Sequence, residues 1–296
     1  MAEGPRRVLV VANPTSGRGM GRIWLDAVVA RLETLGWPVE PFLTAAAGDA
    51  DRKVRETTDI DEVWAIGGDG TINEVLQALA GRDTSLAVLP AGTGNVVARE
   101  LEIPRKVGPA LAIAEAGELR RVDVGEANGR RFLFMLSSGL DAEVVRRITE
   151  TRRGRTMRLW DYAPVLWGCR KAAEPRFQLE LDGVPTGGVS WVGVFNVQRY
   201  AGVFRACPDA DISSGTLQVL LLRDPITPRL CRVVTAMARG RLHLLPDGDS
   251  VSASHIRIAG HGGVQVDGDT FDLPPEFEIC VHPGALPLRV PRDRTR

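Results

Sequence analysis

The chain has 296 residues, no formal net charge, 44% apolar residues and 25% charged residues, a composition typical of a soluble globular protein large enough for two domains. The balanced charge argues against broad electrostatic binding of nucleic acid, so no nucleic-acid partner is expected. Four widely spaced cysteines form no CxxC pair, and no stretch approaches the roughly 20 apolar residues of a membrane span. We therefore expect a cytoplasmic protein, with peripheral contact to the inner membrane surface left open.

Strand-like and helix-like segments alternate over the first 120 residues. Strands are predicted at "RRVLVVANP", "EVWAIGG" and "SLAVLPAGTGN", and helices at "GRIWLDAVVARLETLG", "INEVLQALAG" and "VVARELEI". The first of these helices is expected to end with Gly36 as its C-terminal glycine. Strand, glycine turn and helix in this order predict parallel β-α units, whose ligands bind at the carboxyl ends of the strands.

From about Arg121 the pattern changes to strands separated by Gly, Pro and Asp turns. Strand-like runs include "RFQLELDG", "GVSWVGVFNV", "GTLQVLLLRD", "HIRIAG" and "GVQVDGDTFDL", and one helix is expected at "PRLCRVVTAMARGRL". The second half is therefore predicted to be mainly β, a sandwich or a barrel-like body.

Three glycine-rich turns follow three strands of the first half: "NPTSGRGMG", "GGDGT" and "PAGTGN". On one parallel sheet they would gather at one edge, where exposed backbone N–H groups form a phosphate-binding cradle. The alternative is that each is only a tight turn. A P-loop is excluded because no lysine lies near the first turn, and a dinucleotide fingerprint is excluded because the glycine spacing differs. Hydroxyl donors would come from Thr15, Ser16, Thr71 and Thr93.

Asp69 stands among these phosphate donors, where a carboxylate would repel a bare polyphosphate. It is therefore expected to meet Mg²⁺ or an attacking hydroxyl, and phosphoryl transfer needs both. Late in the chain, "VQVDGDTF" supplies Asp267 and Asp269 on a second tight turn. Acidic groups from two domains meeting at a cleft would give metal binding and a general base, although Asp267-Gly268 is also an ordinary β-hairpin turn.

In their order along the chain, "NPTSG", "GGDGT", "LPAGTGN", "SSGLDAE", "CPDADISSGTLQV" and "VDGD" resemble the diacylglycerol kinase catalytic family. The resemblance implies an ATP- and Mg²⁺-dependent kinase that phosphorylates a lipid hydroxyl in phospholipid metabolism. It also implies an α/β nucleotide-binding domain over residues 1–122, to which residues 286–296 return, and a mainly β, sandwich-like lipid domain over 123–285.

The resemblance also implies roles for individual residues. The late turn would supply the proton acceptor, with Asp269 leading and Asp267 in reserve. Asp141 would face the lipid headgroup, and Asn95 would cap the helix behind the nucleotide site. Asp69 would hold the catalytic Mg²⁺. ATP would be bound by Asn13, Pro14, Thr15, Ser16, Gly17, Thr44, Gly67, Gly68, Asp69, Gly70, Thr71, Ile72, Asn73 and Thr93.

Two departures from the family pattern affect these expectations. The family has Asp-Gly-Glu at the late turn, so Asp269 is one methylene shorter, a loss of reach of about 1.5 Å judged from C–C bond lengths. A structural Mg²⁺ site of bacterial members uses an Asp-Gly turn, which is Ser214-Gly215 here. Asp211 and Thr216 are the remaining candidate ligands beside Ser214, and Ser214 lacks the charge of a good Mg²⁺ ligand.

A basic and aromatic stretch, "VVRRITETRRGRTMRLWDYAPVLWGCRK", follows the "GLDA" turn. Arginine clusters attract anionic lipid surfaces, and tryptophan and tyrosine favour the headgroup level, so this stretch is a candidate membrane-docking element. The alternative is a solvated helix face followed by a core helix. The arginines are Arg146, Arg147, Arg152, Arg153, Arg155 and Arg158, and the apolar and aromatic residues are Leu159, Trp160, Tyr162, Val165, Leu166 and Trp167.

Three functions are carried forward from the sequence. The first is a lipid kinase that transfers the γ-phosphoryl of ATP to diacylglycerol or a related lipid. The second is an NAD kinase-like enzyme, against which stands the lack of an Asn-x-Gly-x-Leu-Gly-Phe-like segment. The third is a nucleotide- and lipid-binding regulator without turnover, which the two departures make plausible. A homodimer is compatible with the sequence.

Overall fold

The computed structural model describes residues 4–152, 176–200 and 204–292, with the backbone alone described for 149–152. The chain divides into two compact units: Met1–Val124 together with Gly284–Arg296, and Gly125–Pro283. Both boundaries fall inside strands, Glu118–Ala127 (β5) and Glu276–Val290 (β16). Within the described ranges, no helix has the length and apolar character needed to cross a membrane.

The first unit is built on a parallel sheet. Its strands are β1 (Val8–Ala12), β2 (Val39–Leu43), β3 (Glu62–Gly67) and β4 (Ser85–Pro90), in the order β2-β1-β3-β4. The C-terminal part of β16 continues this order, because Leu288 pairs with Leu86 of β4 in the parallel sense. The helices are α1 (Met20–Thr34), α2 (Asp49–Glu56), α3 (Asp69–Leu79), α4 (Val96–Glu100) and α5 (Val107–Ala116).

Helix α1 shows how local sequence fixes the elements of this unit. Trp24, Leu25, Val28 and Leu32 recur on one face and are buried against the sheet. After the helix, Gly36 adopts a left-handed φ of 69°, and its N–H donates to the Glu33 carbonyl at 3.0 Å. The next N–H bonds back to Leu32, which completes a Schellman motif. The predicted glycine end of this helix is confirmed.

A buried ionic cluster in the first unit joins Glu62, the first residue of β3, to Arg6 and Arg289. Glu62 Oε1 accepts hydrogen bonds from Arg6 Nη1 at 2.7 Å and from Arg289 Nε at 2.8 Å, and Glu62 Oε2 accepts one from Trp64 Nε1 at 2.9 Å. Arg289 also donates to the Gly117 carbonyl at 3.0 Å. Because a lone buried charge is strongly unfavourable, each member stabilises the folded state only while the others are present.

The second unit is mainly β, and its strands form two antiparallel layers. One layer has the order β12-β11-β10-β7-β14-β15, and the other contains β9, β8, β13 and the N-terminal part of β16. The elements are β6 (Arg130–Phe132), β7 (Met135–Ser138), α6 (Leu140–Arg152), β8 (Phe177–Leu181), β9 (Val184–Val189), β10 (Trp191–Phe195), β11 (Leu217–Leu222), α7 (Leu230–Ala238), β12 (Gly248–Ala253), β13 (His255–Ala259), β14 (Val264–Val266) and β15 (Asp269–Phe271).

Alternating apolar residues from the two layers meet in one core. Leu179 and Ile258 come from one layer, and Val194 and Val219 from the other, and all four are nearly or fully buried. This packing makes the second unit sandwich-like. The predicted fold class, an α/β domain with a parallel-rich sheet plus a mainly β sandwich-like domain, is confirmed, as is the helix expected in "PRLCRVVTAMARGRL".

Candidate active site

The three glycine-rich turns of the first unit lie against one another at the carboxyl edge of the parallel sheet. A Cβ placed on Gly17 would lie 2.2 Å from the Ala91 carbonyl oxygen, and one on Gly92 would lie 2.4 Å from Gly68 Cα. The Gly92 N–H donates to the Gly67 carbonyl at 3.1 Å. Only glycine permits these approaches, so the turns form one surface of exposed backbone rather than three separate loops.

Helix α3 begins on this surface, directly after Gly68. Its first turn has N–H groups without intrahelical partners, and its dipole favours negative charge at this end. The Thr71 side chain lies over Gly67, where a Cβ would come within 2.4 Å of Thr71 Oγ1. A helix N-terminus on a glycine surface is the arrangement that binds phosphate groups.

Asp69 is the acidic group of this surface, and its carboxylate is tied to the third turn. Asp69 Oδ1 accepts the Val96 N–H at 2.7 Å, while a Cβ on Gly94 would lie 2.7 Å from Asp69 Oδ2. Burial raises the pKa of Asp69, and the N–H groups at the start of α4 oppose that rise. Asp69 therefore connects two of the three turns through its own side chain.

Asn95 does not cap helix α4 as predicted. It takes a left-handed φ of 50°, and its side chain turns inward, where Nδ2 donates to the Gly92 carbonyl at 2.7 Å and to the Pro90 carbonyl at 3.2 Å. The Val96 N–H at the helix N-terminus instead donates a hydrogen bond to the side chain of Asp69. Asn95 shapes the third turn, and a residue 26 positions earlier in the chain supplies the cap.

The remaining residues predicted to bind ATP fall into two groups. In the first turn, Asn13 Oδ1 accepts the Thr15 N–H at 3.0 Å, so the Asn13 side chain holds this turn in shape. Ser16 of the same turn is partly exposed, and Thr93 of the third turn is exposed. Thr44 follows β2, with its N–H bonded to Ala12. The structure directs others into the core: Ile72 is fully buried with its N–H bonded to Gly68, and Asn73 is 5% exposed.

Two arginines that the sequence motifs did not single out are fixed beside the third turn. Arg99 Nε donates to the Gly94 carbonyl at 3.0 Å, and Arg105 Nη2 donates to the Gly92 carbonyl at 3.2 Å. They bring positive charge to the third turn. Their spacing from the "PAGTGN" turn was the only sequence signal available for them.

In the second unit, Asp267 and Gly268 form the two-residue loop of the β14–β15 hairpin. Both have left-handed φ values, 51° and 91°, as a type I′ turn requires. Asp267 Oδ2 accepts the Leu133 N–H at 2.9 Å. Its other oxygen, Oδ1, accepts the N–H groups of Phe134 and Met135 at 2.9 and 3.1 Å. Asp267 is thus a structural anchor, whereas the neighbouring Asp269 is exposed at the start of β15.

A buried glutamine connects this hairpin to Asp141. Gln265 Oε1 accepts the Gly268 N–H at 2.9 Å, and Gln265 Nε2 donates to Ser137 Oγ at 2.7 Å. The Ser137 hydroxyl in turn makes a short hydrogen bond to Asp141. The geometry of the turn that precedes Asp269 is therefore set by a side chain that is only 2% exposed.

Asp141 itself sits in a cage of donors. Oδ1 accepts hydrogen bonds from Trp191 Nε1 at 2.8 Å and from the Ala142 N–H at 3.0 Å, and the Tyr200 hydroxyl lies 3.4 Å from Oδ2. Loss of hydration in this cage raises the pKa of Asp141, with these donors opposing the rise. These contacts are internal to the unit, and a role in lipid binding stays a prediction.

The residues proposed for a structural Mg²⁺ do not fit that ion. Asp211 Oδ1 accepts the Ser213 N–H at 2.9 Å, and Ser214 Oγ bonds the Thr216 carbonyl at 3.0 Å and lies 3.2 Å from Thr216 Oγ1. This leaves one carboxylate and two mutually bonded hydroxyls, whereas Mg²⁺ in proteins is held through carboxylates. The described residues contain no group of three acidic, histidine or cysteine side chains suited to a metal.

Only part of the basic and aromatic stretch lies within the described residues. Arg146 and Arg147 bond Glu143 at 2.8 and 2.6 Å, and these bonds lower the Glu143 pKa to about 2. Two arginines predicted for membrane docking are therefore held by a carboxylate. The rest of that prediction lies outside the described residues: the side chain of Arg152, and Arg153, Arg155, Arg158, Leu159, Trp160, Tyr162, Val165, Leu166 and Trp167.

Comparison with known proteins covers both units. The family model described as "Diacylglycerol kinase catalytic domain" matches residues 7–127, and "YegS C-terminal NAD kinase beta sandwich-like domain" matches residues 135–290. A diacylglycerol kinase of Mycobacterium tuberculosis (strain ATCC 25618 / H37Rv) is 31% identical over 97% of this chain and 96% of its own length. One of Bacillus subtilis (strain 168) is 29% identical over 79% of this chain and 80% of its own length.

A solved structure, that of a diacylglycerol kinase from Bacillus anthracis str. Sterne, is similar to this chain in fold. The TM-score is 0.78, at 23% identity, and the match covers 96% of this chain and 97% of that one. A likeness at this identity supports the architecture and not the activity.

A parallel α/β unit with a glycine-lined surface at a helix N-terminus, on the same chain as a β-sandwich, defines the class of NAD kinase-like and diacylglycerol kinase-like folds. Within that class the sequence relationship is decisive. The chain belongs to the diacylglycerol kinase catalytic family, and the resemblance read from the order of its motifs is confirmed.

Proposed function

We propose that the protein is a lipid kinase that transfers the γ-phosphoryl group of ATP to a hydroxyl of diacylglycerol or a related lipid. The observation that carries the proposal is the joined surface of the three turns, with Asp69 held at its centre by the Val96 N–H. Membership of the diacylglycerol kinase family and the names of the relatives favour a lipid as the acceptor.

The phosphates of ATP would lie on the glycine surface, where backbone N–H groups and the N-terminus of α3 favour their negative charge. Arg99 and Arg105 would add positive charge beside the same turn. Asp69 would hold Mg²⁺, since one carboxylate and phosphate oxygens are a sufficient ligand set for this ion. When bound, Mg²⁺ supplies neutralisation of the charge on the phosphate oxygens.

Asp269 would accept the proton of the attacking lipid hydroxyl. It is exposed, its neighbour Asp267 is occupied by three backbone N–H groups, and Gln265 fixes the turn between them. A carboxylate on a rigid hairpin can be placed consistently, which offsets the shorter side chain relative to glutamate. Asp267 would hold the hairpin in place and would not take part in proton transfer.

The test is incubation of the full chain with Mg²⁺, ATP labelled in the γ-phosphoryl group and separate acceptors: diacylglycerol, an amino-alcohol lipid and NAD. We expect label in a phosphate monoester of diacylglycerol, and its loss in D69N. Label in NAD alone would establish the NAD kinase-like alternative. Nucleotide binding without transfer to any acceptor would establish the regulator, which the shorter Asp269 keeps as the second candidate.

A further inference from the structure

A segment of the second unit is strongly basic although the whole chain has no net charge. Residues 225–246, "PITPRLCRVVTAMARGRLHLLP", include four arginines and one histidine and no acidic residue. The segment comprises helix α7 and the turn that follows it, with short 3₁₀ turns at Thr227–Arg229 and Leu242–Leu244. A local excess of this kind creates a positive potential on one face of a neutral protein.

Three of these arginines line one surface groove of about 570 Å³. The α7 residues that line it recur with helical spacing, so they share one face of the helix, and the following turn completes the wall. We call this surface the α7 groove. Its lining residues are Cys231, Arg232, Thr235, Ala236, Arg239, Arg241, Leu244 and Leu245.

The fourth arginine of the segment, Arg229, has a carboxylate partner and differs in this from the three arginines of the groove. Arg229 is paired with the buried carboxylate of Asp247. Arg232, Arg239 and Arg241 are exposed, and within the described ranges no carboxylate lies at ion-pair distance from any of them. Their charges are therefore available to an anionic partner.

Apolar side chains project beside these charges. Leu244, in the groove wall, is 66% exposed, and Leu245 beside it completes an apolar part of the lining. Val233 is the residue of α7 that is buried in the unit. Arginines beside an exposed leucine match the two layers of a lipid surface, anionic headgroups outside and acyl chains beneath.

We propose that the α7 groove docks the protein on a bilayer that contains anionic phospholipid. A second copy of the chain fits less well, because an isologous contact through this surface would bring arginine against arginine. A nucleic acid would pair with the arginines but would leave the exposed Leu244 side chain without an apolar partner. The inference rests on charge and exposure, and it does not require the proposed kinase activity.

The experiment measures sedimentation of the full chain with vesicles of neutral phosphatidylcholine, and with vesicles in which about 30% is phosphatidylglycerol, at about 0.1 M salt. The variant R239Q/R241Q removes two charges from the groove. The matched control, R82Q/R292Q, removes two exposed arginines of the first unit for which the described residues offer no carboxylate partner. L244S removes the apolar contact and keeps every charge.

We expect the wild type and the control to bind the anionic vesicles alike. R239Q/R241Q should bind about thirty-fold more weakly, from about a factor of five for each arginine near an anionic surface. L244S should also bind more weakly, with the preference for anionic lipid kept.

Equal binding by R239Q/R241Q and the control, or equal binding of the wild type to both vesicle types, would overturn the inference. A wild-type dimer that R239Q/R241Q converts to monomer would replace the bilayer with a second copy. Phosphate transfer to diacylglycerol in neutral detergent micelles is measured alongside. Vesicle binding without phosphate transfer would contradict the proposed function but not this inference. Phosphate transfer without selective vesicle binding would contradict this inference but not the proposed function.

Discussion

The two aspartates of the late hairpin should respond in opposite ways to the same substitution. Asp267 holds three backbone N–H groups with its carboxylate, whereas Asp269 is exposed beside it. We expect Asp267→Asn to lower the free energy of unfolding substantially and Asp269→Asn, on an exposed side chain, to lower it much less. Asn tolerates the left-handed φ of 51° at position 267 as well as Asp does, so backbone strain does not enter the comparison.

The size of the effect at Asp267 follows from its hydrogen bonds. An Asn carbonyl can replace Oδ1 and keep two acceptor contacts, but an amide NH₂ in place of Oδ2 would face the Leu133 N–H, donor against donor. One charge-assisted bond is lost and two become neutral, which together amount to about 2–4 kcal/mol. For a unit of this size the midpoint of thermal unfolding should fall by roughly 6–12 °C.

Urea unfolding followed by circular dichroism measures the first effect, and phosphate transfer to diacylglycerol measures the second. Asp269→Asn should lower kcat at least about a hundred-fold if this carboxylate is the general base. Full stability in D267N would contradict the anchoring role of Asp267. A normal kcat in D269N would remove Asp269 from the proposed mechanism.

Three further expectations concern other parts of the chain. Gly94→Ala brings a Cβ within 2.7 Å of Asp69 Oδ2, so kcat should fall about a hundred-fold. The control Gly108→Ala places its Cβ in open space and should keep wild-type activity. Burial raises the pKa of Asp141 in the folded chain, so the unfolding free energy should fall as pH rises from the unfolded pKa through the folded one; urea titrations at several pH values should show no such fall in D141N. Glu62→Gln leaves two buried guanidinium groups without their carboxylate and should destabilise the protein by about 3–5 kcal/mol in urea unfolding; a change below about 1 kcal/mol would mean that the cluster is not tightly coupled.

The parts of this molecule that are fixed locally could be predicted from the sequence. The alternation of strand, glycine turn and helix defines the first unit because apolar periodicity and glycine signals act over a few residues. Gly36 ends α1 for the same reason, and Asp267-Gly268 makes a hairpin wherever alternating strands flank it. The gathering of the three turns follows from parallel strand order alone.

The parts that depend on distant partners could not be predicted. The Asn95 side chain turns inward because its amide meets carbonyls of its own turn, and Asp69 reaches the helix N-terminus across 27 residues. Gln265 looks like any polar residue of an alternating strand until the fold places Ser137 opposite it. No spacing rule connects such residues, because the tertiary structure chooses the partner.

The last strand sets an order of events during synthesis. Leu288 and Arg289 complete the sheet and the ionic cluster of the first unit, but they are made only after all of Gly125–Pro283. At about 5–20 residues per second, the ribosome takes roughly 10–30 s to make that intervening length. During this interval Arg6 and Glu62 are present without Arg289, the third charged residue of their cluster. The unit that begins first is therefore finished last, and the β-sandwich, made from one continuous stretch, can fold before it.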